Sequence, residues 1–170
     1  AENIENLINE IRKFNSDSKI LIINDFSNDK TKELLEKIND KNLDLIERPK
    51  KLGLGTAHKL SMFYAIKNNY DFLITMDADF SHDPSYIPKL IEKAGPNNFI
   101  IGSRFCAGAK SDYTGVRKII SIWGNYSAKK LLKINLNEIT TYFRMYSVNL
   151  LKRLPFDELN SQGYSLGVKL

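Results

Sequence analysis

The sequence predicts an α/β protein with a mostly parallel central sheet and helices on both faces. Short apolar runs alternate with segments of helical spacing, which is the pattern of βαβ units with right-handed crossovers. Polar residues follow several of these runs directly, and 170 residues suit one domain. Ligands of such sheets bind beyond the carboxyl ends of the strands. We therefore expect the chemistry just after Ile23, Met76 and Ile101.

The elements follow from the spacing of apolar residues. Ile4, Leu7, Ile8, Ile11 and Phe14 recur at helical intervals and predict the first helix. The predicted helices span residues 2–14, 29–38, 55–68, 84–93 and 116–132. The predicted strands span residues 19–24, 43–47, 72–76, 99–101 and 143–146. Because a parallel α/β domain usually begins with a strand, we expect residues 1–170 to be one domain that lacks its first strand, with a C-terminal truncation left open.

Composition excludes several classes of protein. The chain is 42% hydrophobic and 26% charged, which excludes disorder as the main state. A single cysteine, Cys106, excludes a disulfide framework and a cysteine-rich zinc site, and it fits a reducing cytoplasm. No apolar run approaches the roughly 20 residues of a membrane span. The first residues are amphipathic and acidic, unlike a signal peptide.

The net charge of +5 is unevenly distributed. Residues 1–100 carry 14 Lys and Arg against 16 Asp and Glu, whereas residues 101–170 carry 11 against four. A basic second half fits a phosphate-rich partner or an anionic membrane surface, but also a solvated lysine-rich face, which composition alone favours. No DNA- or RNA-binding motif accompanies the charge, so we expect no nucleic-acid partner.

The most specific motif is the Asp-x-Asp of Asp77 and Asp79, which ends a predicted apolar strand. Two carboxylates in this position can share a divalent cation with a diphosphate, and the cation offsets the charge of a phosphate leaving group. Without a metal, the two carboxylates repel each other. A solvated acidic turn is the alternative. His82 follows closely enough to touch the same site.

Two further segments follow predicted strands. Asp25 can accept hydrogen bonds from a base or a ribose, whereas Asp29 is better placed to cap the next helix. Residues 48–58 combine basic residues with Gly53 and Gly55 before a helix, so their backbone N–H groups can cradle phosphate. Their spacing matches neither Walker A nor Gly-x-Gly-x-x-Gly, and a plain flexible loop is equally compatible.

A possible anion site lies in the basic half. Arg104 follows a predicted strand, and its planar fork suits phosphate. Arg117 and Ser121 are four residues apart and share a helix face. Each residue alone is compatible with a surface role, whereas the group together with Lys118 and Arg144 indicates an anion site.

Taken in order, these motifs resemble the family 2 glycosyltransferases of the GT-A fold, and within them the dolichol-phosphate mannosyltransferase (polyprenyl-phosphate glycosyltransferase) branch. The resemblance covers about residues 3–163. It rests on Asn-Asp-Phe-Ser-Asn-Asp-Lys-Thr at 24–31, Lys-Leu-Gly-Leu-Gly-Thr-Ala at 51–57, Met-Asp-Ala-Asp-Phe-Ser-His-Asp-Pro at 76–84, Gly-Ser-Arg at 102–104, and the segment from 117 to 144.

The resemblance implies inverting transfer of a sugar from a nucleotide-diphospho-sugar to a polyprenyl phosphate. GDP-mannose and a UDP-sugar are both open as donors, and the enzyme would lie at the cytoplasmic face of a membrane. Asp77 and Asp79 would hold Mg²⁺ or Mn²⁺ and the donor diphosphate, with Asp25 and Gly53 also on the donor. The implied acceptor-phosphate residues are Arg104, Arg117 and Ser121, and the implied catalytic residues are Asp79 and Arg104.

Three positions depart from the family pattern. Asn24 and Phe26 stand where the family has Asp and Gly, and Tyr142 stands where it has a later Gly. These departures leave open a nucleotide-sugar-binding protein with little or no turnover. A glycosyltransferase with a saccharide acceptor is a further alternative. A haloacid-dehalogenase-type phosphatase would carry its Asp-x-Asp on the first strand, and a sugar nucleotidyltransferase would carry its glycine loop near the N-terminus, so both fit less well.

Overall fold

The computed structural model describes residues 3–27, 31–103, 138 and 141–156. The helices are α1 (Ile4–Phe14), α2 (Thr31–Lys37), α3 (Leu54–Lys67), α4 (Ile87–Glu92) and α5 (Val148–Leu151), and a 3₁₀ turn, Pro84–Tyr86, precedes α4. The strands are β1 (Ile20–Asn24), β2 (Leu43–Glu47), β3 (Phe72–Thr75), β4 (Phe99–Ile101) and β5 (Arg144–Ser147).

Strands β1 and β2 form a parallel pair, with Ile20 opposite Leu43 at one end and Asn24 opposite Glu47 at the other. One face of this pair is covered by α1 and α2. The buried residues of that layer are Ile4, Ile8 and Leu35, and they pack against Ile20, Ile22, Leu43 and Leu45. The alternation of apolar side chains along both strands therefore directs one set towards these helices.

The other strands form a three-stranded sheet in the order β3-β5-β4, with β5 antiparallel to both neighbours. Alternate residues of β5 face opposite helices. Tyr146 packs with Leu73 and Phe99 in the core that contains Met62 of α3. Met145 packs in the core that contains Leu90 of α4, together with Ile74 and Ile100. This sheet is therefore covered on both faces.

The structure confirms the α/β class. Each strand that the sequence predicts lies in the described part of the chain and forms there. The expected helix at 116–132 lies outside them. The strand expected at 143–146 forms at Arg144–Ser147, but it runs antiparallel to its neighbours. Four residues of α5 follow it, too few for a helical period to be visible in the sequence.

A groove of about 670 Å³ lies between β1 and β3. Residues 20–23 line it on one side and residues 72–76 on the other, with side chains from α1 and α3 completing the walls. At one end it reaches Leu54, Asp77 and Ala78.

A first strand ahead of α1 stays a prediction. Within the described ranges, no helix combines the length and the apolar composition needed to cross a membrane.

Gly102 directly follows β4, lies against an aromatic ring and provides a test of this packing. A Cβ at Gly102 would lie 2.3 Å from Cδ1 of Phe143, which is buried and cannot easily move away. We expect Gly102→Ala to lower the free energy of unfolding by about 1–3 kcal/mol because it overpacks this contact. Urea denaturation would measure the change.

Gly95→Ala is the matched control. A Cβ at Gly95 would first meet Nδ2 of the exposed Asn98 side chain, at 3.0 Å, and no buried ring. We expect the control to cost less than Gly102→Ala. Equal stability of the two variants would contradict the packing assigned to Gly102.

Candidate active site

The loop after β1 is tied to the loop that precedes α3. The carboxylate of Asp25 accepts hydrogen bonds from the backbone N–H groups of Leu52 and Gly53, each at 2.8 Å. Nη1 of Arg48 lies 3.2 Å from the same carboxylate. Burial alone would raise the pKa of Asp25, but the two backbone donors and Arg48 outweigh it and hold the pKa below its ordinary value. The carboxylate is therefore charged and braces the loop.

Arg48 was not assigned this role from the sequence. Its side chain is almost fully buried, donates to the backbone carbonyl of Gly53 at 3.2 Å and donates to Oγ1 of Thr56. The threonine hydroxyl in turn lies 2.8 Å from the carbonyl of Gly53. The sequence feature that could have indicated this role is the position of the arginine, directly after a strand and before Pro49. The loop is therefore a braced turn, and Gly53 occupies it at a φ of 86°.

A small cavity of about 340 Å³ lies beside this brace. It is lined by Asn24, Phe26, Ser27, Glu47, Arg48 and Pro49. Oδ1 of Asn24 accepts a hydrogen bond from the backbone N–H of Ser27, at 3.1 Å, and closes the turn. Between them, Phe26 adopts a φ of 61° and leaves 55% of its surface exposed. This left-handed conformation favours glycine, the residue that the resembled family has there.

Asp77 and Asp79 lie in a tight turn after β3. Oδ1 of Asp79 accepts from the backbone N–H of Ser81 at 2.9 Å, and Phe80 takes a φ of 62°. The backbone N–H of Asp77 donates to Nδ1 of His82, also at 2.9 Å. The sequence placed His82 near the site, and the structure confirms that position.

The electrostatics of the two carboxylates differ. Burial raises the pKa of Asp77 and outweighs the opposing effect of His82, and the charge of Asp79 adds to the rise. The hydrogen bond with Ser81 lowers the pKa of Asp79. A cation bound between them would relieve the repulsion and compensate the buried charge, and carboxylate oxygens suit Mg²⁺ or Mn²⁺. The pair therefore fits a divalent cation.

The described residues hold no cluster of three or more His, Cys, Asp and Glu side chains able to bind a metal. Asp77 and Asp79 alone would supply two carboxylate ligands. A cation held this way has coordination positions left for water and for the oxygens of a diphosphate. This is the arrangement that Mg²⁺ favours in sites for phosphorylated substrates.

Tyr142, which departs from the family pattern, is buried against His58 of α3. The two rings stack with centroids 4.0 Å apart and an angle of 12° between their planes. Burial lowers the pKa of His58 to about 4, and Arg144 and His82 contribute to the shift. His58 is therefore a neutral core residue.

The structure thus places Asp25 at the carboxyl end of β1, with Gly53 hydrogen-bonded to it, and places Asp77 and Asp79 after the carboxyl end of β3. Leu54, beside Gly53, and Asp77 both line the groove between these strands. No contact with a donor has been tested for Asp25, Gly53, Asp77 or Asp79, so these roles stay predictions. Arg104, Arg117 and Ser121 lie outside the described residues, and their roles also stay predictions.

An α/β architecture with a paired acidic turn at the end of a strand is compatible with an enzyme that binds phosphorylated substrates through a divalent cation. The chain matches glycosyl transferase family 2 over residues 1–155 and belongs to this family. Membership confirms the GT-A fold and shows that the chain is a glycosyltransferase.

Two curated proteins are similar over nearly the whole chain. The undecaprenyl-phosphate mannosyltransferase of Micrococcus luteus is 30% identical over 172 residues, which cover 99% of this chain and 71% of that protein. The polyprenol monophosphomannose synthase of Mycolicibacterium smegmatis is 25% identical over 174 residues, which cover 99% of this chain and 66% of that protein. The resemblance to the polyprenyl-phosphate branch is therefore confirmed.

His58 provides a test of the core beneath the site. In the unfolded chain His58 takes up a proton near pH 6.5, whereas in the folded chain it stays neutral down to about pH 4. Its stabilising contribution is complete above pH 6.5 and is lost between pH 6.5 and 4, because only the unfolded state binds the proton there. We expect about 2 kcal/mol of loss between pH 7 and 5 from this residue.

His58→Phe removes this contribution and keeps a ring against Tyr142. Urea denaturation at pH 7 and 5 would measure the free energy of unfolding of both proteins. Carboxylates of lowered pKa, such as Asp25, weaken both proteins on acidification and cancel in the comparison. The histidine protein should lose more stability than the variant, and equal losses would contradict the buried neutral state of His58.

Proposed function

We propose that this glycosyltransferase transfers a sugar from a nucleotide-diphospho-sugar to a polyprenyl phosphate, with inversion and with the help of a divalent cation. The observation that carries the proposal is the partly buried Asp77 beside Asp79 at the end of β3, in a chain of this family. The names of both relatives describe mannose transfer to polyprenyl carriers and support GDP-mannose as the first donor to test. UDP-sugars remain the alternative donors.

The donor would lie across the carboxyl ends of β1 and β3. The cavity beside Phe26 has polar groups from Asn24, Ser27 and Glu47 for the nucleoside. Asp77 and Asp79 would hold the cation, whose charge neutralises the leaving diphosphate when it is bound. The brace between Asp25 and the backbone of Leu52 and Gly53 fixes the loop that closes this end.

The reaction needs little from a general base. The acceptor phosphate is an anion at neutral pH, so one of its oxygens can attack the anomeric carbon directly. The new carbon–oxygen bond forms as the bond to the diphosphate breaks, and the electron pair leaves with the nucleoside diphosphate. Positioning and electrostatic stabilisation would therefore supply most of the catalysis. Arg104, Arg117 and Ser121 are the proposed groups for the acceptor phosphate, and Arg104 and Asp79 are the proposed catalytic residues.

The acceptor places the reaction at a membrane surface, because its polyprenyl chain is apolar. The net positive charge of residues 101–170 would favour binding to an anionic membrane surface. We propose a peripheral enzyme at the cytoplasmic face, in keeping with relatives whose names describe lipid carriers.

Donor binding is tested by thermal and chemical denaturation with GDP-mannose, UDP-glucose or UDP-GlcNAc, each with and without Mn²⁺. A donor at about 100 times its Kd should add about 2.7 kcal/mol to the free energy of unfolding. We expect one donor to do so in a Mn²⁺-dependent way. Asp79→Asn should abolish the effect because it removes a charge that holds the cation.

Asp83→Asn is the matched control, because Asp83 accepts from the backbone N–H of Ser85 at 2.9 Å just as Asp79 accepts from Ser81. The control should keep the donor response. Loss of the response in both variants would indicate a general effect on these turns and would contradict the role of Asp79. No response of the unaltered protein to any donor would overturn the proposed donor site.

Acceptor use is tested by transfer of labelled sugar to polyprenyl phosphate, to polyprenol and to a free saccharide. We expect product only with polyprenyl phosphate. Arg117→Ala should raise KM for this acceptor at least about tenfold, because a charge-assisted hydrogen bond is lost, and should leave donor binding unchanged. Donor binding without transfer to any acceptor would favour a binding protein, and transfer to the saccharide would favour the other alternative.

A further inference from the structure

The side chain of His82 lies between the Asp77–Asp79 turn and the segment that leads into β5. Only 10% of this side chain is exposed. Nδ1 accepts from the backbone N–H of Asp77 at 2.9 Å, and Nε2 lies 3.3 Å from Oγ1 of Thr141. One imidazole therefore contacts two segments that are about 60 residues apart in the sequence.

The hydrogen bonds define which nitrogen carries the proton. A backbone N–H can donate to Nδ1 only when that nitrogen keeps its lone pair. A neutral imidazole then carries its hydrogen on Nε2, which donates to the hydroxyl oxygen of Thr141. The same oxygen accepts from the backbone N–H of Phe143 at 3.1 Å. The chain of contacts runs from Asp77 through His82 and Thr141 to Phe143.

Packing fixes the ring itself. The imidazole stacks on Phe143 with centroids 5.3 Å apart and 14° between the planes. Phe143 is buried and packs over Gly102. The ring is therefore held from the β5 side, and it holds the main chain at Asp77. Nδ1 lies 3.8 Å from Oδ2 of Asp77, too far for a hydrogen bond, so the carboxylate is not held by this nitrogen.

We propose that His82 is a positioning residue that orients the Asp77–Asp79 turn so that both carboxylates converge on one divalent cation. The proposal rests on the proposed function of the turn. Without the bond from Asp77 to Nδ1, the main chain at Asp77 loses its link through His82 to the segment before β5, and the two carboxylates would be less well aligned. Partners of this kind, which orient a metal ligand without touching the metal, commonly change metal affinity about 10- to 100-fold when they are replaced.

Three substitutions separate this role from simple packing. His82→Phe keeps a ring against Phe143 but loses both hydrogen bonds. His82→Asn loses the ring but offers an oxygen near the position of Nδ1, so it can still accept from Asp77. His82→Gln presents an amide near the position of Nε2, so it can still donate to Thr141 but has no acceptor at the Nδ1 position.

The measurement is the Mn²⁺ concentration that half-saturates donor-dependent stabilisation, taken with the donor that stabilises the unaltered protein. We expect His82→Phe and His82→Gln to need at least about tenfold more Mn²⁺, and His82→Asn to recover most of the loss. A packing role predicts the reverse order, with His82→Phe closest to the unaltered protein. That order, or no change in any variant, would overturn the proposal. Urea denaturation without Mn²⁺ shows which variants fold, and the comparison uses those.

Nitrogen NMR of the histidine ring gives a readout that needs neither donor nor metal. At neutral pH we expect His82 to show an unprotonated Nδ1 and a protonated Nε2. A proton on Nδ1 would overturn the proposed link to Asp77.

The experiments distinguish failure of the proposed function from failure of the positioning role of His82. If the unaltered protein binds no donor with Mn²⁺, the proposed function fails and the positioning role fails with it. If the unaltered protein binds and His82→Phe binds with the same Mn²⁺ requirement, only the role of His82 fails.

Discussion

The insertion of β5 between β3 and β4 is the constraint on which the described site depends. The residues just before β5 cross the carboxyl end of β3, where the hydroxyl of Thr75 donates to the carbonyl of Tyr142 at 2.6 Å. The backbone N–H of Gly102 donates to the carbonyl of Phe143 at 2.8 Å. Both carbonyls belong to the residues just before β5, so this one segment holds the ends of β3 and β4 together. The acidic turn after β3 is thereby attached to the core of the sheet.

Both site loops hold a phenylalanine in the left-handed region, which costs roughly 1–2 kcal/mol for a residue other than glycine. Phe26 lies in the turn that Asn24 closes, and Phe80 lies in the turn closed by Asp79 and His82. The hydrogen bonds that these side chains accept from backbone N–H groups keep each strained conformation in place. The aromatic rings are then left exposed beside the site, at 55% and 40% of their surface.

The fold class and the positions of the strands could be predicted because apolar runs and polar strand ends are local patterns. The direction of β5 could not, because an antiparallel strand inserted between parallel neighbours leaves no mark on the period of its residues. The acidic turn was visible in the sequence because Asp77 and Asp79 directly follow an apolar run. The contacts of Arg48 with Thr56 and of His82 with Thr141 were not, since they join residues that only the folded chain brings together.

Asp25 and Asp77 occupy equivalent places after β1 and β3, yet their environments move their pKa values in opposite directions. Two backbone N–H groups and Arg48 compensate the charge of Asp25, so this carboxylate can hold the loop while it is ionised. Among the described contacts, no backbone donor serves the carboxylate of Asp77, and Asp79 repels it. This difference supports the proposal that a cation binds at Asp77 and Asp79 and that Asp25 acts on a nucleotide chiefly through the loop that it holds.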